Sequence, residues 1–317
     1  MKISVIGPGR WGTFIAHYLA CIGHRVTLCG REGSAGIAAL KSTGKNEYMT
    51  LCDRVEPEYG YSSCRDADAV AVSVPSTTLK EVLSQIDNGK NVILCMKGLE
   101  ANTGRCLSEI AESILPDSKI CVWVGPGHVQ DLICGIPNCM VIDGGDKALV
   151  KRLVDEFSSP LIRFYYGNDL IGCEIGAAAK NVIGIAAGML DGANMSSLKG
   201  ALMSRGTREI ARLIHAMGGS ELTAYGLSHL GDYEATLFSD HSRNRAYGMA
   251  FIKGESSPGL AEGVNTVKAL MVLGERYGVE LPICTTVCNI IHRGCDPMEE
   301  LALLFQRSVK KEFERLE

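Results

Sequence analysis

Short apolar runs rich in β-branched residues alternate with longer stretches of helical period through the first half of the chain. Ile3 to Ile6 predicts a strand, Trp11 to Ile22 a helix and Arg25 to Leu28 a second strand. Further strand-like runs follow at Ala69 to Val74, Asn91 to Met96, Ile120 to Val124, Cys139 to Ile142 and Ile162 to Tyr165. Such runs are apolar on both faces, the pattern of strands in a parallel sheet covered by helices on each side. Past Gly167 the texture changes. Cys173 to Met189, Ser197 to Met217, Glu262 to Tyr277 and Pro297 to Arg307 carry apolar positions at helical spacing, and strand-like runs almost disappear.

The strand–helix–strand order predicts a doubly wound α/β domain of the Rossmann type, residues 1–168, followed by an all-helical domain, residues 169–317. Composition narrows the class. The 317 residues carry a formal net charge of -4, with 46% hydrophobic and 21% charged positions. That excludes a disordered chain, and the interspersed charges speak against nucleic-acid or membrane-surface binding. The 13 cysteines include no C-x-x-C pair, so no metal site is expected and a reducing, cytoplasmic setting is. MKISVIGPG enters a strand at once, unlike a signal peptide, and no membrane insertion is expected.

The first chemistry lies in Gly7-Pro8-Gly9-Arg10-Trp11-Gly12, a G-x-G-x-x-G set between a strand and a helix. Gly7 suits the tight turn, Gly9 lets the backbone approach a pyrophosphate, and Gly12 allows close helix–strand packing. The phosphates would sit on free N–H groups at the helix start. The second strand ends in Gly30-Arg31-Glu32, where an NAD binder usually has an acid. Arg31, helped by Arg10, suits a 2′-phosphate, so the expected cofactor is NADP or NAD, with NADP favoured.

Polar residues also gather after buried segments. Lys97 follows a strand at the carboxyl edge of the sheet, and Gly125-Pro126-Gly127-His128 follows the next. Lys180 sits among Ala177, Ala178, Ala179, Val182 and Ile183 on a helix apolar all round. Burial disfavours an ammonium and makes a lysine usable as a general acid or base. A salt-bridged core lysine, with Glu174 or Asp232 as partner, fits the same pattern.

GPGRWGT, VPS, MKGLE, GPGH, EIGAAAKNVIGIAAGMLDG, GLSHLGD, SRNRAYG and EGVNTVKA occur in this order. Together they resemble the bacterial NAD(P)-dependent glycerol-3-phosphate dehydrogenase family along nearly the whole chain. The resemblance implies interconversion of dihydroxyacetone phosphate and sn-glycerol 3-phosphate, feeding glycerophospholipid synthesis. It implies Lys180 as proton donor, Lys97 in contact with cofactor and substrate, and Asp232 orienting the lysine and substrate. Ser242, Arg243 and Asn244 fall on the phosphate-binding segment, with Arg243 also near the cofactor. Arg10, Trp11, Arg31, Val129 and Glu262 fall on dinucleotide contacts, and Gly125 on a substrate contact. The small phosphorylated substrate suits Arg243, whose planar fork can grip a phosphate dianion at two points. A homodimer is the expected assembly.

The chain departs from the family's pattern in places. Gly127 stands where a hydroxyl residue is usual, and Pro8 and Arg10 stiffen the glycine turn and add charge to it. The 41–62 and 254–260 regions are shorter than usual. A reductase of another small keto or hydroxy acid would keep the fold without the SRNR segment. An inactive, cofactor-binding paralogue would have little use for Lys97, Lys180, Asp232 and Arg243 together.

Overall fold

The computed structural model describes residues 1–256, 259 and 261–306. Residues 257, 258 and 260, Arg307 and the Lys310-Lys311 pair, read in the sequence as a solvated helical face, lie outside the described residues. The first half runs β1 (Lys2–Ile6), α1 (Arg10–Cys21), β2 (Arg25–Gly30), α2 (Ala35–Thr43), β3 (Val55–Tyr59), β4 (Ala69–Val72), α3 (Leu79–Leu83) and β5 (Asn91–Leu94). It continues with α4 (Leu107–Ile114), β6 (Lys119–Val124), α5 (Val129–Ile133), β7 (Asn138–Gly144), α6 (Lys147–Phe157) and β8 (Ile162–Tyr166). The longer helices of the second half are α7 (Leu170–Gly192), α8 (Lys199–Ala216), α9 (Arg243–Lys253), α10 (Gly263–Tyr277), α11 (Pro282–Arg293) and α12 (Pro297–Phe305).

The eight strands form one sheet in the order β3-β2-β1-β4-β5-β6-β7-β8. The Rossmann-type α/β reading therefore stands, with one correction. β7 pairs antiparallel with β6, Trp123 opposite Ile142, whereas an all-parallel sheet was expected. The connection explains it: only the five-residue α5 lies between these strands, too little for the helical crossover a parallel neighbour needs. β3 was missed altogether. Its sequence, Val-Glu-Pro-Glu-Tyr, is polar with a proline, which an edge strand tolerates because only one side is paired.

The chain forms two compact units. One comprises residues 1–97 and 107–170, the other 98–106 and 171–317. The 98–106 excursion, read from its place in the chain as part of the first domain, belongs with the helices. Leu99 and Cys106 join the apolar core built around α7, and Arg276 donates to the Thr103 carbonyl at 2.7 Å.

α7 organises the helical unit. Gly172 to Leu190 are buried without a break. Among the described residues it is the one helix long and apolar enough to cross a membrane, and 89% of its most apolar window is buried inside the protein. Its glycines at positions 184, 188 and 192 share one face. A Cβ on Gly188 would stand 1.9 Å from the Arg245 carbonyl oxygen, and one on Gly248 of α9 would stand 2.1 Å from the Ile185 oxygen. α7 and α9 thus cross backbone against backbone, closer than any side chain would permit.

Candidate active site

In the first unit, the glycine turn is fixed by what surrounds it. Gly7 has φ +111°, and a Cβ there would lie 2.2 Å from the Ser73 carbonyl oxygen. A Cβ on Gly12 would lie 2.0 Å from the Gly7 oxygen, so the helix presses directly on the turn. Gly9, at the N-cap of α1, faces open space instead. No side chain caps α1 and no acid stands in its first turn, so its positive end is left to a ligand. This open glycine over an uncapped helix start fits the pyrophosphate of a dinucleotide.

The neighbouring residues are placed less uniformly. The Arg10 guanidinium lies over the Tyr48 ring, 5.5 Å from its centre, and Arg31 is exposed just past β2. Trp11 stacks on Phe14 with ring centres 5.5 Å apart, and Val129 is buried in the sheet core. Lys97 donates from Nζ to the Gly125 carbonyl at 3.1 Å, joining two of the positions read from the sequence. Gly125 needs its own lack of a side chain: φ is +135° and a Cβ would come within 3.0 Å of the Met140 Cα. At Gly127 the room for a side chain is taken by the Met140 methyl, 2.5 Å from where a Cβ would stand. The Met140 thioether that fills this space accepts the Trp123 ring N–H at 2.9 Å.

In the helical unit, α7 presents Lys180 to the segment that follows His229. Its ammonium lies 2.7 Å from Asp232 Oδ2 and donates to Thr236 Oγ1 at 2.9 Å. Thr236 in turn donates to the Asp232 main-chain carbonyl at 2.7 Å. Asp232, one of the two partners the sequence offered for Lys180, is in direct contact with it. The carboxylate side chain is 1% exposed and the lysine 10%, so the pair is almost wholly withdrawn from water. Thr236 was missed. It lies one helical turn after Asp232, and a threonine at that spacing, facing a buried charge pair, was the available signal.

The adjoining segment begins α9. Ser242 is the N-cap, its hydroxyl accepting the Arg245 N–H at 3.3 Å. Arg243 is exposed, and Asn244 bridges Asn181 of α7, at 3.0 Å, to the Gly263 N–H that opens α10, also at 3.0 Å. Glu262 is the N-cap residue of α10. The two arginines of SRNR have different work. Arg245 donates to Asp191 at 2.6 Å, and Lys199 approaches the same oxygen at 2.6 Å. Burial pushes the Asp191 carboxyl up, but hydrogen bonds from Lys199, Ser196 and Arg245 outweigh it and hold the group below the usual carboxylate range. Arg245 is consumed in the fold, while Arg243 stands exposed at a helix N-terminus suited to an anion.

His229, buried beside this pair, belongs to the scaffold. Its Nδ1–H donates to the Gly176 carbonyl at 2.8 Å, which leaves Nε2 to accept the Tyr233 hydroxyl at 2.6 Å. Burial lowers its pKa from 6.5 to about 4, against the opposing pull of the Gly176 carbonyl and Asp232. The neutral ring therefore stabilises the fold fully above pH 6.5, and this contribution of about 3 kcal/mol is lost as pH falls towards 4. Urea midpoints between pH 7 and 4.5 should fall more steeply for the natural protein than for His229→Gln; equal slopes would refute the assignment.

A phosphate-ready glycine turn on a Rossmann-type sheet, with a buried lysine–carboxylate pair on a helical unit, defines a dinucleotide-dependent dehydrogenase. Residues 2–150 match the family described as NAD-dependent glycerol-3-phosphate dehydrogenase N-terminus, and residues 169–302 match its C-terminus counterpart. The chain belongs to the NAD-dependent glycerol-3-phosphate dehydrogenase family. It is 35% identical to the glycerol-3-phosphate dehydrogenase (NAD(P)+) of Agrobacterium fabrum, over 98% of this chain and 99% of that one. It is 34% identical to the enzyme of that name from Thermus thermophilus, over 98% and 100%. The crystal structure of glycerol-3-phosphate dehydrogenase from Coxiella burnetii superposes with a TM-score of 0.90 at 26% identity, covering 96% and 99%.

Proposed function

We propose that the protein reduces dihydroxyacetone phosphate to sn-glycerol 3-phosphate, and catalyses the reverse, with NAD(P)H as the redox partner. The observation that carries this reading is the Lys180–Asp232–Thr236 cluster, a buried ammonium held by a carboxylate and a hydroxyl. Reduced nicotinamide supplies the hydride when bound. As charge develops on the C2 oxygen, Lys180 Nζ gives it a proton, and Asp232 and Thr236 hold the nitrogen in position. Lys97, fixed by the Gly125 carbonyl, contributes positive potential on the cofactor-binding unit.

Arg243 and the N–H groups opening α9 receive the substrate phosphate, with Ser242 and Asn244 fixing that turn. Gly7, Gly9 and Gly12 admit the pyrophosphate; Arg10, Trp11, Arg31, Val129 and Glu262 complete the dinucleotide contacts. Arg31 beside Glu32 favours NADP slightly over NAD. In this reading the protein is a cytoplasmic homodimer and its product feeds glycerophospholipid synthesis.

The test follows loss of nicotinamide absorbance with dihydroxyacetone phosphate, in parallel with NADH and NADPH. Turnover with the phosphate ester and little with dihydroxyacetone is expected. Tight cofactor binding without turnover of the ester would refute the reading.

A further inference from the structure

The stretch that leads into α9 is held by a charge cluster that the proposed chemistry does not use. At its centre is Asp191, near the end of α7, with a side chain only 9% exposed. Three donors converge on this carboxylate. Arg245 Nε and Lys199 Nζ each approach Oδ2 at 2.6 Å, and the Ser196 hydroxyl donates to Oδ1 at 2.6 Å. The two cations carry the grip onward to residues 237–240. Lys199 donates to the Leu237 carbonyl at 3.1 Å. Arg245 donates from Nη1 to Asp240 Oδ1 at 2.9 Å and to the Phe238 and Ser239 carbonyls at 3.4 Å each.

We propose that Asp191 is a positioning residue for phosphate recognition, acting through Arg245 to aim the first turn of α9. The inference rests on the reading of that turn as the phosphate grip. Arg245 stands two residues after Arg243 in the same turn, and its own N–H is accepted by the Ser242 hydroxyl at 3.3 Å. Main chain and side chain of one residue thus fix both the cap of α9 and the loop before it. A planar guanidinium can serve Asp191 and the loop oxygens together, which an ammonium cannot. Arg243 is exposed, so its aim depends on how firmly this turn is held. A misplacement of about an ångström is enough to lose most of what a gripping group contributes.

A pure field effect would act in the opposite direction. Asp191 brings negative charge to the turn that receives an anion, so by potential alone its removal would strengthen phosphate binding. Loss of positioning weakens it.

The full-length natural protein and its variants are compared by kcat/KM with dihydroxyacetone phosphate and with dihydroxyacetone, which has no phosphate to grip. In Asp191→Asn the ester should lose about tenfold while dihydroxyacetone stays within about twofold. A merely structural defect lowers both alike. Arg245→Lys keeps the charge but not the fork, and should lose about threefold on the ester alone. This milder variant decides the matter if Asp191→Asn does not fold. Arg245→Gln should match Asp191→Asn, and the double variant should lose about tenfold, not a hundredfold, because the two residues act as one unit. Equal losses on both substrates, a gain on the ester, or multiplied losses in the double variant would overturn the proposal. A natural protein inactive on the ester would overturn the phosphate reading itself, and this inference with it.

Discussion

Lys180→Ala is expected to lower turnover by about three to four orders of magnitude while leaving cofactor affinity within a few fold. The lysine belongs to the helical unit and the glycine turn to the other unit, so binding of NADH, read by fluorescence, should survive. The alanine variant also strands Asp232, 1% exposed, without its counter-charge, and that loss alone costs about 3–5 kcal/mol of stability. Lys180→Arg separates the two effects. Its guanidinium keeps the positive charge near Asp232 and Thr236 but does not release a proton near neutrality, so this variant should be folded and equally inactive. Turnover above a tenth of the natural rate in a folded Lys180→Arg protein would remove Lys180 from the chemistry.

A single methyl at Gly188 should do comparable damage by a different route. The added Cβ would stand 1.9 Å from the Arg245 oxygen and 2.9 Å from the Met249 nitrogen. Both are backbone atoms of a helix, so no rotamer change relieves the clash and α9 has to move off α7 by more than an ångström. Destabilisation of about 3 kcal/mol is expected. Because α9 opens with Ser242, Arg243 and Asn244, KM for the phosphorylated substrate should rise about tenfold or more, and the cofactor KM should change little. Gly200→Ala is the contrast: its Cβ would meet nothing within 4 Å, and alanine there should be neutral or stabilising by up to about 1 kcal/mol. Equal urea midpoints for the two variants would contradict the close helix crossing.

How much was legible beforehand follows from the range of the interactions. The sheet could be read from apolar runs because strands buried on both faces leave a local mark, and the glycine turn because its residues are contiguous. β3 left no such mark, its polar residues lying at an edge. The antiparallel β7 turned on the length of one connection, which periodicity does not register. Lys180 was conspicuous as a charge in an apolar helix. Asp232 was among the partners read for it, but the engagement of Lys180 with Thr236 was not, because that contact spans more than fifty residues of chain. Arg243 was singled out from Arg245 only by resemblance, because their local sequence context is almost the same; the physical difference lies in Asp191 and Asp240, which hold Arg245.

The excursion at 98–106 has a practical consequence for modular engineering. A chimera that exchanged this dinucleotide-binding unit for another by a single junction near residue 168 would replace Leu99, Thr103 and Cys106 as well, and deprive the helical core of the contacts its own 98–106 segment makes. Three junctions, at 97/98, 106/107 and 170/171, are needed to carry one unit over whole. A transfer that copies one continuous stretch divides one of the two units.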